Sequence, residues 1–453
     1  MEHDLNFFCN LVNKLNKEEK ITPIIKPLSP GELRDSIDLS LTNKGNTQEV
    51  FEKNITDVVM ATPRTSTRLF FNQLFGGRNS KAILGDLLSV VLNNGMHIYK
   101  VNGIQVLIER EIIKTIIPMI GYKKNISSGI FTPGGSMSNF MALLMARDIH
   151  DKNVRENGIS KNMIVYTSDQ SHYSMVKNIR FAGIGENNLR KIISNKYGQI
   201  NIEVLENQIQ KDIKDGHHPF FIKATAGTTV LGAFDDFEKI SEICKKYNLW
   251  FHIDGALGGS TIFSDKYKNL MKGIKLSDSF AINAHKMLGV PISCSMIFTK
   301  NKKHMYNSFS SEADYLYQGD ADDLNPGLLS LQCARTNDAL KFWTLWKSIG
   351  TEGLAKIVEK EFYLADIARN YLRNNVDYTL YSFDNSTNIC FNYKNYDAKK
   401  LCKILYKETE LLISHGSFKG NTFLRLVTVR YENEKEDIIN VFKTIERVAA
   451  NYM

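Results

Sequence analysis

Three side chains that could act together on an amine or a carboxylate lie just after short apolar runs in the middle of the chain. Lys286 offers an amine, Asp254 a carboxylate and His172 an imidazole. Upstream, the segment FTPGGSMSNFMALLMARD is a Gly-rich turn that opens a helix, and the free N–H groups at a helix start favour phosphate. Together these features predict a phosphate-binding site beside an acid, an imidazole and an amine.

Each of these features has a plainer interpretation when it is taken alone. A Gly-rich loop before a helix is often only a turn, and an Asp at the end of a strand often caps a helix. A loop Lys is usually a solvated charge, and a His between Ser and Tyr is usually a structural residue. Their shared position at the ends of predicted strands favours the functional interpretation.

The elements that position these side chains are apolar runs alternating with helix-like stretches between about residues 80 and 300. Residues 201–214 and 237–247 are amphipathic with helical periodicity. Such alternation predicts an α/β domain with a largely parallel sheet, in which ligands bind beyond the carboxyl ends of the strands. The apolar runs are 163–167, 190–194, 219–224, 249–254, 279–283 and 294–298.

The rest of the chain predicts two smaller pieces. The first part is helical around a Pro-containing loop, and residues 335–375 predict one or two long helices. After them come predicted strands near 387–393 and 423–429 and predicted helices near 397–411 and 434–449. We therefore expect an N-terminal helical segment (1–75), a large α/β domain that carries the predicted phosphate-binding site (76–335) and a small C-terminal domain (336–453).

The composition argues against several classes of protein. Of the 453 residues, 43% are hydrophobic and 23% charged, which is ordinary for a soluble globular protein. The formal net charge of +8 is scattered in mixed runs, so no nucleic-acid partner is expected. The six cysteines lie far apart without a CxxC pair, which argues against a disulfide framework and a zinc site. No metal is expected.

The sequence also predicts a cytoplasmic protein without a membrane partner. The N-terminal residues lack the basic, apolar and small-residue order of a signal peptide. No apolar run reaches the roughly 18 residues that a membrane span needs.

Six segments resemble the group II decarboxylases that depend on pyridoxal 5′-phosphate (PLP). The resemblance runs from about residue 60 to the C-terminus and is closest to the glutamate, cysteine sulfinate and aspartate decarboxylase branch. It implies a PLP-dependent amino-acid decarboxylase with the aspartate aminotransferase fold (fold type I), a small α+β C-terminal domain and a homodimeric assembly. The segments are TPGGSMSN, SDQSHYS, ATAGTTVLGAFDD, KYNLWFHIDGALGG, NAHKMLGVPISCS and ALKFWTLWKSIGTEG.

The resemblance assigns a role to each residue singled out above. Lys286 matches the lysine that holds PLP as a Schiff base, and Asp254 matches the carboxylate that keeps the pyridine nitrogen protonated. His172 matches the imidazole stacked on one face of the ring, and Ala256 offers a methyl group to the other. The remaining implied cofactor contacts are Gly135, Ser136, Met137, Ser138, Thr225, Thr228, Asn283 and His285.

The implied substrate is an acidic L-amino acid. Gln73 and Arg425 match positions that meet its distal acid, and a guanidinium suits a carboxylate or sulfinate. His97 stands where glutamate enzymes tend to have an aromatic residue, which favours aspartate or cysteine sulfinate while leaving glutamate open, and Tyr99 is a further implied substrate contact. A strand-edge surface charge is the plainer interpretation of Arg425.

Some positions depart from the family pattern. Gly255 and Leu257 replace the usual Ala and Trp, and Ala284 replaces the usual Pro. The segment YLYQGDADDLNPGLLSLQC is shorter than the family's mobile catalytic loop and lacks the Tyr expected after Gln318 as proton donor to Cα.

This last departure leaves two questions open. Tyr315, Tyr317, His172 or a group of a partner subunit are the remaining candidates for the proton donor. The alternatives for function are a decarboxylase of an aromatic, basic or sulfur-containing amino acid, decarboxylation coupled to transamination or oxidation, or a PLP-binding protein with little turnover.

Overall fold

The computed structural model describes residues 1–310 and 324–452. Contacts divide the chain into two units. The large unit comprises Arg78–Tyr363 and Ser382–Asn388, and the small unit comprises Met1–Gly77, Leu364–Tyr381 and Ile389–Met453. The predicted N-terminal segment and most of the predicted C-terminal domain therefore fall in one unit, because a short N-terminal strand joins the C-terminal sheet.

The strands and helices are numbered along the described part of the chain. The strands are β1 (Phe70–Phe71), β2 (Ser128–Thr132), β3 (Met163–Ser168), β4 (Leu189–Ile192), β5 (His218–Thr225), β6 (Trp250–Gly255), β7 (Ser279–Asn283), β8 (Ser295–Thr299), β9 (Tyr378–Leu380), β10 (Asn388–Tyr393), β11 (Leu412–Phe418) and β12 (Asn421–Val427). The helices are α1 (Glu2–Ile21), α2 (Pro30–Ser36), α3 (Gln48–Ala61), α4 (Ser80–Leu92), α5 (Tyr99–Asn102), α6 (Ile104–Ile120), α7 (Gly135–His150), α8 (Val154–Asn157), α9 (Ser174–Phe181), α10 (Ile202–Lys214), α11 (Phe237–Tyr247), α12 (Ala284–Met287), α13 (Lys302–Phe309), α14 (Asp338–Arg373), α15 (Ala398–Lys407) and α16 (Lys435–Tyr452).

The large unit is built on a seven-stranded sheet in the order β2-β8-β7-β6-β5-β3-β4. The strands from β7 to β4 in that order are parallel, whereas β8 runs antiparallel to both β7 and β2. The six predicted apolar runs are confirmed as β3 to β8, and the predicted α/β class is confirmed. Strand β2 was not predicted, because its sequence SGIFT is too short and mixed to stand out from a loop.

The register of this sheet brings three strand ends together. Thr225 of β5 pairs with Asp254 of β6, and Asp254 pairs with Ala281 of β7. Helices α10 and α11, which return the chain between strands, are preceded by the N-cap residues Asn201 and Asp236, whose side chains accept backbone N–H groups of the first turn. The carboxyl ends of β5, β6 and β7 therefore meet at one edge.

The small unit contains a five-stranded sheet in the order β1-β11-β12-β10-β9. Strand β1 pairs with β11 in parallel, and β11 pairs with β12 in antiparallel fashion. Phe71, Ile413, Leu424 and Phe442 belong to the buried core of this unit. The predicted strands near 387–393 and 423–429 and the C-terminal helices are confirmed as β10, β12, α15 and α16. The predicted long helix is α14, which is broken at Gly350 (φ 68°).

Candidate active site

A cavity of about 240 Å³ lies at the edge where β5, β6 and β7 end and α7 begins. It brings together most of the predicted cofactor contacts, while Met137, Ser138 and Thr228 do not line it. The lining residues are Gly135, Ser136, Asn139, His172, Tyr173, Thr225, Gly227, Thr229, Asp254, Ala256, Leu257, Asn283, His285 and Lys286.

The start of α7 forms one wall of this cavity. The residue before it is Gly134, which has no side chain to cap the first-turn N–H groups. A Cβ added at Gly135 would lie 3.0 Å from Nδ2 of Asn283 and 3.3 Å from Cβ of Ala256, so only glycine leaves this space open. The uncapped helix start suits an anion such as a phosphate.

Two predicted phosphate or cofactor contacts are turned to local structure instead. The hydroxyl of Ser138 is buried and lies 2.7 Å from the hydroxyl of Thr132. The hydroxyl of Thr228 accepts the amide N–H of Ala233 at 3.0 Å and closes a turn.

Asp254 is the buried acid of the cavity, with 4% of its surface exposed. Its Oδ2 accepts hydrogen bonds from Nδ2 of Asn139 at 2.8 Å and from Nζ of Lys223 at 3.1 Å. Burial raises the pKa of this carboxyl, but the ammonium groups of Lys223 and Lys286 outweigh burial and hold the pKa below its usual range. The carboxylate is therefore ionised at neutral pH.

His172 follows β3 and lies over the same cavity. Its Nδ1 accepts the backbone N–H of Ser174 at 3.2 Å, so the proton of the neutral ring is on Nε2. Burial is the largest cause that lowers the pKa of His172 to about 4, and the nearby ammonium groups lower it further against the opposing effect of Asp254. The imidazole is neutral at pH 7 and can stack or donate without carrying charge.

Lys286 lies on α12, the short helix that follows β7, and its amine faces the cavity. Burial lowers the pKa of this amine, Asp254 raises it, and Lys223 lowers it again, with a net decrease. A larger fraction of the amine is therefore unprotonated at neutral pH, which is the nucleophilic form.

The neighbours of Lys286 complete this wall. His285 accepts the amide N–H of Cys294 at its Nδ1 (3.0 Å), and burial together with Lys286 lowers its pKa to about 4. Oδ1 of Asn283 is buried without a hydrogen-bond partner among residues 1–310 and 324–452. A buried amide oxygen is costly when it is unpaired, so this atom is suited to a ligand donor.

The departure at Gly255 has a local cause. A Cβ at this position would lie 2.4 Å from the ring of Phe280 and 2.7 Å from the carbonyl oxygen of Ala281. Leu257 lines the cavity and Ala284 is buried. The cavity remains open with these three residues in place.

Three buried residues of the site were missed by sequence reasoning. Asn139 sits on α7 and looks like an ordinary polar helix residue, and His252 lies inside the apolar strand β6. Lys223 lies inside β5, where a charge within an otherwise apolar run was an available signal. All three belong to the hydrogen-bonded surroundings of Asp254.

The predicted substrate residues are divided between the two units. In the small unit, Arg425 is half-buried on β12, an interior strand, so the strand-edge interpretation is wrong. Its Nη2 donates to the carbonyl of Asn72 at 2.7 Å and its Nε donates to Oγ of Ser414 at 3.0 Å. Gln73, the residue after Asn72, is exposed.

In the large unit, His97 is half-buried and its Nδ1 contacts the carbonyl oxygen of Gly95. The backbone N–H of Tyr99 donates to Oδ1 of Asn325 at 3.0 Å. Tyr315, Tyr317 and Gln318 of the predicted catalytic loop lie outside the described residues.

Metal-binding clusters and membrane-spanning helices are both absent from the described part of the chain. Within residues 1–310 and 324–452, no group of three or more His, Cys, Asp and Glu side chains is arranged to hold a metal ion. Over the same ranges, no helix has the length and apolar content that crossing a membrane requires.

The residues of the cavity fit the PLP that the motifs imply. An amine, a carboxylate and a neutral imidazole surround a space that also contains an uncapped helix start and an unpaired amide oxygen. The amine suits the aldehyde of that cofactor, the carboxylate its ring nitrogen, and the imidazole a face of its ring. The uncapped helix start suits the phosphate, and the amide oxygen suits the hydroxyl.

Comparisons with known proteins agree with this fit. The pyridoxal-dependent decarboxylase conserved domain matches residues 30–394. Acidic amino acid decarboxylase GADL1 of Mus musculus is 36% identical over 370 residues, which are 80% of this chain and 67% of that protein. Cysteine sulfinic acid decarboxylase of Mus musculus is 33% identical over 368 residues, 80% of this chain and 74% of that protein. The crystal structure of mouse CSAD has a TM-score of 0.92 at 27% identity and covers 99% of each chain.

Proposed function

Because the chain belongs to the pyridoxal-dependent decarboxylase family, we propose that it removes carbon dioxide from a small acidic L-amino acid, aspartate or cysteine sulfinate in preference to glutamate. The implied family, the fold type I architecture, the PLP cofactor and the class of carboxy-lyase are confirmed. The observation that carries the proposal is the meeting of Lys286, Asp254 and His172 in one cavity.

The roles of the cavity residues follow from their chemistry. Bound PLP supplies a carbonyl for the substrate amine and a ring that accepts the electron pair left at Cα when carbon dioxide departs. Lys286 would attach the cofactor through its amine and later receive a proton at Nζ. Asp254, ionised at neutral pH, would hold a proton at the ring nitrogen. His172 would cover the ring with a neutral imidazole.

The proton that Cα receives needs a donor, and several candidates remain. His172 carries its proton on Nε2 in the neutral ring, so it can donate without first becoming charged. Tyr315 and Tyr317 are the other candidates within this chain. Replacement of each tyrosine by Phe and of His172 by Gln, with single-turnover measurement of amine formation, would identify the donor as the residue whose loss slows protonation most.

The acidic side chain of the substrate is assigned to Arg425. Arg425 on β12 is fixed by Ser414 and by the carbonyl of Asn72, which places its guanidinium beside the backbone that carries Gln73. A guanidinium held in this way can pair with a carboxylate or a sulfinate through two parallel hydrogen bonds. The names of the relatives, acidic amino acid decarboxylase and cysteine sulfinic acid decarboxylase, support this assignment.

A substrate panel tests the proposal directly. Release of carbon dioxide would be measured with aspartate, cysteine sulfinate, glutamate, cysteine, tryptophan and lysine, with Lys286→Ala as the inactive control. We expect aspartate or cysteine sulfinate to give the highest kcat/KM. Glutamate as the best substrate would overturn the size preference, and an aromatic or basic amino acid as the best substrate would overturn the acidic class. A yellow protein without turnover on any of them would favour the PLP-binding alternative.

We also propose that the protein is a homodimer. Helix α4 exposes six large apolar side chains on the large unit, each more than 40% exposed, and an exposed apolar surface of this kind marks an interaction site. These side chains are Leu84, Leu87, Leu88, Val90, Val91 and Leu92. Light scattering coupled to size exclusion should give about twice the 51.6 kDa mass of the chain, and Leu88→Glu with Val91→Glu should shift the protein toward monomer.

A cytoplasmic location is the last part of the proposal. No disulfide joins any of the six cysteines, all of which lie in the described residues, and four of them are buried. Cysteines without disulfides are typical of proteins in a reducing compartment. Microscopy of the tagged chain in its native cells would test the location.

A further inference from the structure

A lysine lies wholly inside the sheet beneath the cavity. Lys223 belongs to β5, has 0% of its surface exposed, and is surrounded along the strand by Phe, Ile and Ala residues. Burial of an ammonium group is costly unless a charge compensates it. Within the described chain the one hydrogen bond of this amine goes to Oδ2 of Asp254, at 3.1 Å.

The same oxygen of Asp254 also ends a chain of buried hydrogen bonds. The indole N–H of Trp250 donates to Oγ of Ser279 at 2.9 Å, and this hydroxyl lies 2.9 Å from Nδ1 of His252. Nε2 of His252 lies 2.9 Å from Oδ1 of Asn139, whose Nδ2 donates to Asp254. Because Asn139 donates through its nitrogen, its oxygen accepts, and the proton of His252 is on Nε2.

The direction of this chain leaves Asp254 as the final acceptor of every group behind it. Its Oδ2 receives two donors, from Asn139 and Lys223, whereas Oδ1 receives the backbone N–H of Ala256 at 3.2 Å. Oδ1 therefore retains more accepting capacity than Oδ2, and the ion pair with Lys223 lies on the Oδ2 side of the carboxylate.

The charges near this pair are few at neutral pH. Burial lowers the pKa of His252 to about 3 and that of His172 to about 4, so both rings are neutral. Burial also raises the pKa of Asp235 to about 6, so this carboxyl is largely ionised at pH 7, and Lys223 acts on it as well. Among the described residues, Lys223 and Lys286 are the lysines that act on Asp254. Asp235 is therefore the described acid whose titration near neutral pH offsets part of a change in the charge of Lys223.

We propose that Lys223 is a positioning residue that neutralises Asp254 from behind and thereby lowers the proton affinity of the ring nitrogen of bound PLP. The proposal rests on the assignment of Lys286 and Asp254 to the cofactor. It has two consequences. Asp254 keeps a permanent counter-charge when no cofactor is bound, and the ring nitrogen meets a carboxylate whose charge is already partly compensated.

The size of the effect follows from the distances. A donor that binds Oδ1 of Asp254 while Lys223 binds Oδ2 at 3.1 Å would lie roughly 6–8 Å from the ammonium of Lys223, given ordinary hydrogen-bond lengths. At an effective dielectric constant of about 20, one unit charge at that distance shifts a pKa by about one and a half to two units. Because a positive charge disfavours protonation, its removal raises the pKa of groups on the bound cofactor.

The first test is a pH titration of the absorbance of the holoenzyme. Lys223→Met removes the charge and preserves length, and Lys223→Gln removes the charge while retaining a donor toward Asp254. Both variants should raise the midpoint of the cofactor's spectral transition by about one to two pH units. Arg335→Met is the matched control, because Arg335 forms a buried ion pair with Glu109 at 3.1 Å and does not line the cavity; its midpoint should equal that of the wild type.

The second test compares thermal unfolding with and without PLP. In Lys223→Met the apo protein carries a buried acid that has lost its partner, and the protonated ring replaces that partner in the holoenzyme. The loss in unfolding temperature should therefore be at least twice as large for the apo protein as for the holoenzyme. A lysine with a merely structural role would lower both temperatures equally.

The outcomes separate the two levels of the proposal. The role of Lys223 alone would be overturned if the spectral midpoint of Lys223→Met and Lys223→Gln stayed within about 0.2 pH units of the wild type. Equal losses in unfolding temperature for the apo protein and the holoenzyme would overturn it as well. If the cofactor absorbance of the wild type persists in Lys286→Ala, the assignment of the cavity to PLP is wrong, and the role of Lys223 is wrong with it.

Discussion

Replacement of Asn139 by Leu tests the hydrogen-bonded support of the buried acid. Asn139 joins the two sides of that support, because its Nδ2 donates to Asp254 at 2.8 Å and its Oδ1 lies 2.9 Å from Nε2 of His252. The variant Asn139→Leu keeps a similar volume and removes both bonds. We expect loss of a bond to a charged group, worth about 1.5–3 kcal/mol, and an unsatisfied buried donor on His252, worth about 1–3 kcal/mol.

The expected total is a decrease of about 2.5–6 kcal/mol in the free energy of unfolding. Urea unfolding of the apo protein, followed by tryptophan fluorescence, is the appropriate assay. Trp250, Trp343 and Trp346 are the three tryptophans of the chain, and all lie in the large unit. The signal therefore reports the unit that contains the cavity, and omission of PLP removes the stabilisation that ligand binding adds.

The control is a buried asparagine with neutral partners in the same unit. Nδ2 of Asn102 donates to the carbonyl of Ile98 at 2.8 Å, so Asn102→Leu should cost about 1 kcal/mol. A loss in Asn139→Leu below about 1 kcal/mol, or no larger than that of the control, would contradict the proposed support of Asp254.

Three further predictions concern substrate, pH and cofactor. Arg425→Met should raise KM for aspartate or cysteine sulfinate by about 10- to 100-fold, the value of a hydrogen bond between charged groups, and an unchanged KM would remove this residue from the substrate site. His252 has a folded pKa of about 3 against about 6.5 when unfolded, so its contribution is fully favourable above pH 6.5 and is lost as the pH falls toward 3. In His252→Gln, which can still donate to Asn139, the unfolding temperature should fall less between pH 6.5 and 4, and an unchanged slope would contradict the assigned burial. Gly135→Ala places a methyl group 3.0 Å from Asn283 and should weaken PLP binding at least tenfold, measured by fluorescence titration, whereas unchanged binding would show that the helix start is not the phosphate cradle.

The sequence was sufficient to predict that three side chains lie together in one cavity. Lys286, Asp254 and His172 each follow an apolar run, and the carboxyl ends of parallel strands meet at one edge of a sheet. Order along the chain and strand periodicity are local properties of the sequence. They therefore predict that these three side chains lie at one edge of the sheet even when the order in which the strands pair is unknown. The resemblance then supplied the cofactor and its chemistry.

Long-range pairing was not predictable in the same way. Strand β1 has two residues and pairs with β11, about 340 positions later in the chain, and nothing in Phe70 and Phe71 indicates that partner. The antiparallel direction of β8 also leaves no trace in its apolar run, because a strand buried on both faces reads the same in either direction.

The support of Asp254 was missed for a physical reason as well. Asn139 lies inside a helix, and His252 and Lys223 lie inside strands. Periodicity shows that these polar residues interrupt an apolar pattern, but it does not identify the groups to which they bond. Their meaning comes from pairing across α7, β5 and β6, which the register of the sheet provides. A lysine within a strand buried on both faces is nevertheless a signal that sequence reasoning can use.

The most direct measurement asks which lysine carries the cofactor. The holoenzyme would be reduced with borohydride, digested and mapped by mass spectrometry, with Lys286→Ala and Lys223→Met treated in parallel. We expect a pyridoxyl-phosphate adduct on Lys286 in the wild type and in Lys223→Met, and none in Lys286→Ala. An adduct on another lysine, or its persistence in Lys286→Ala, would contradict the central role of Lys286.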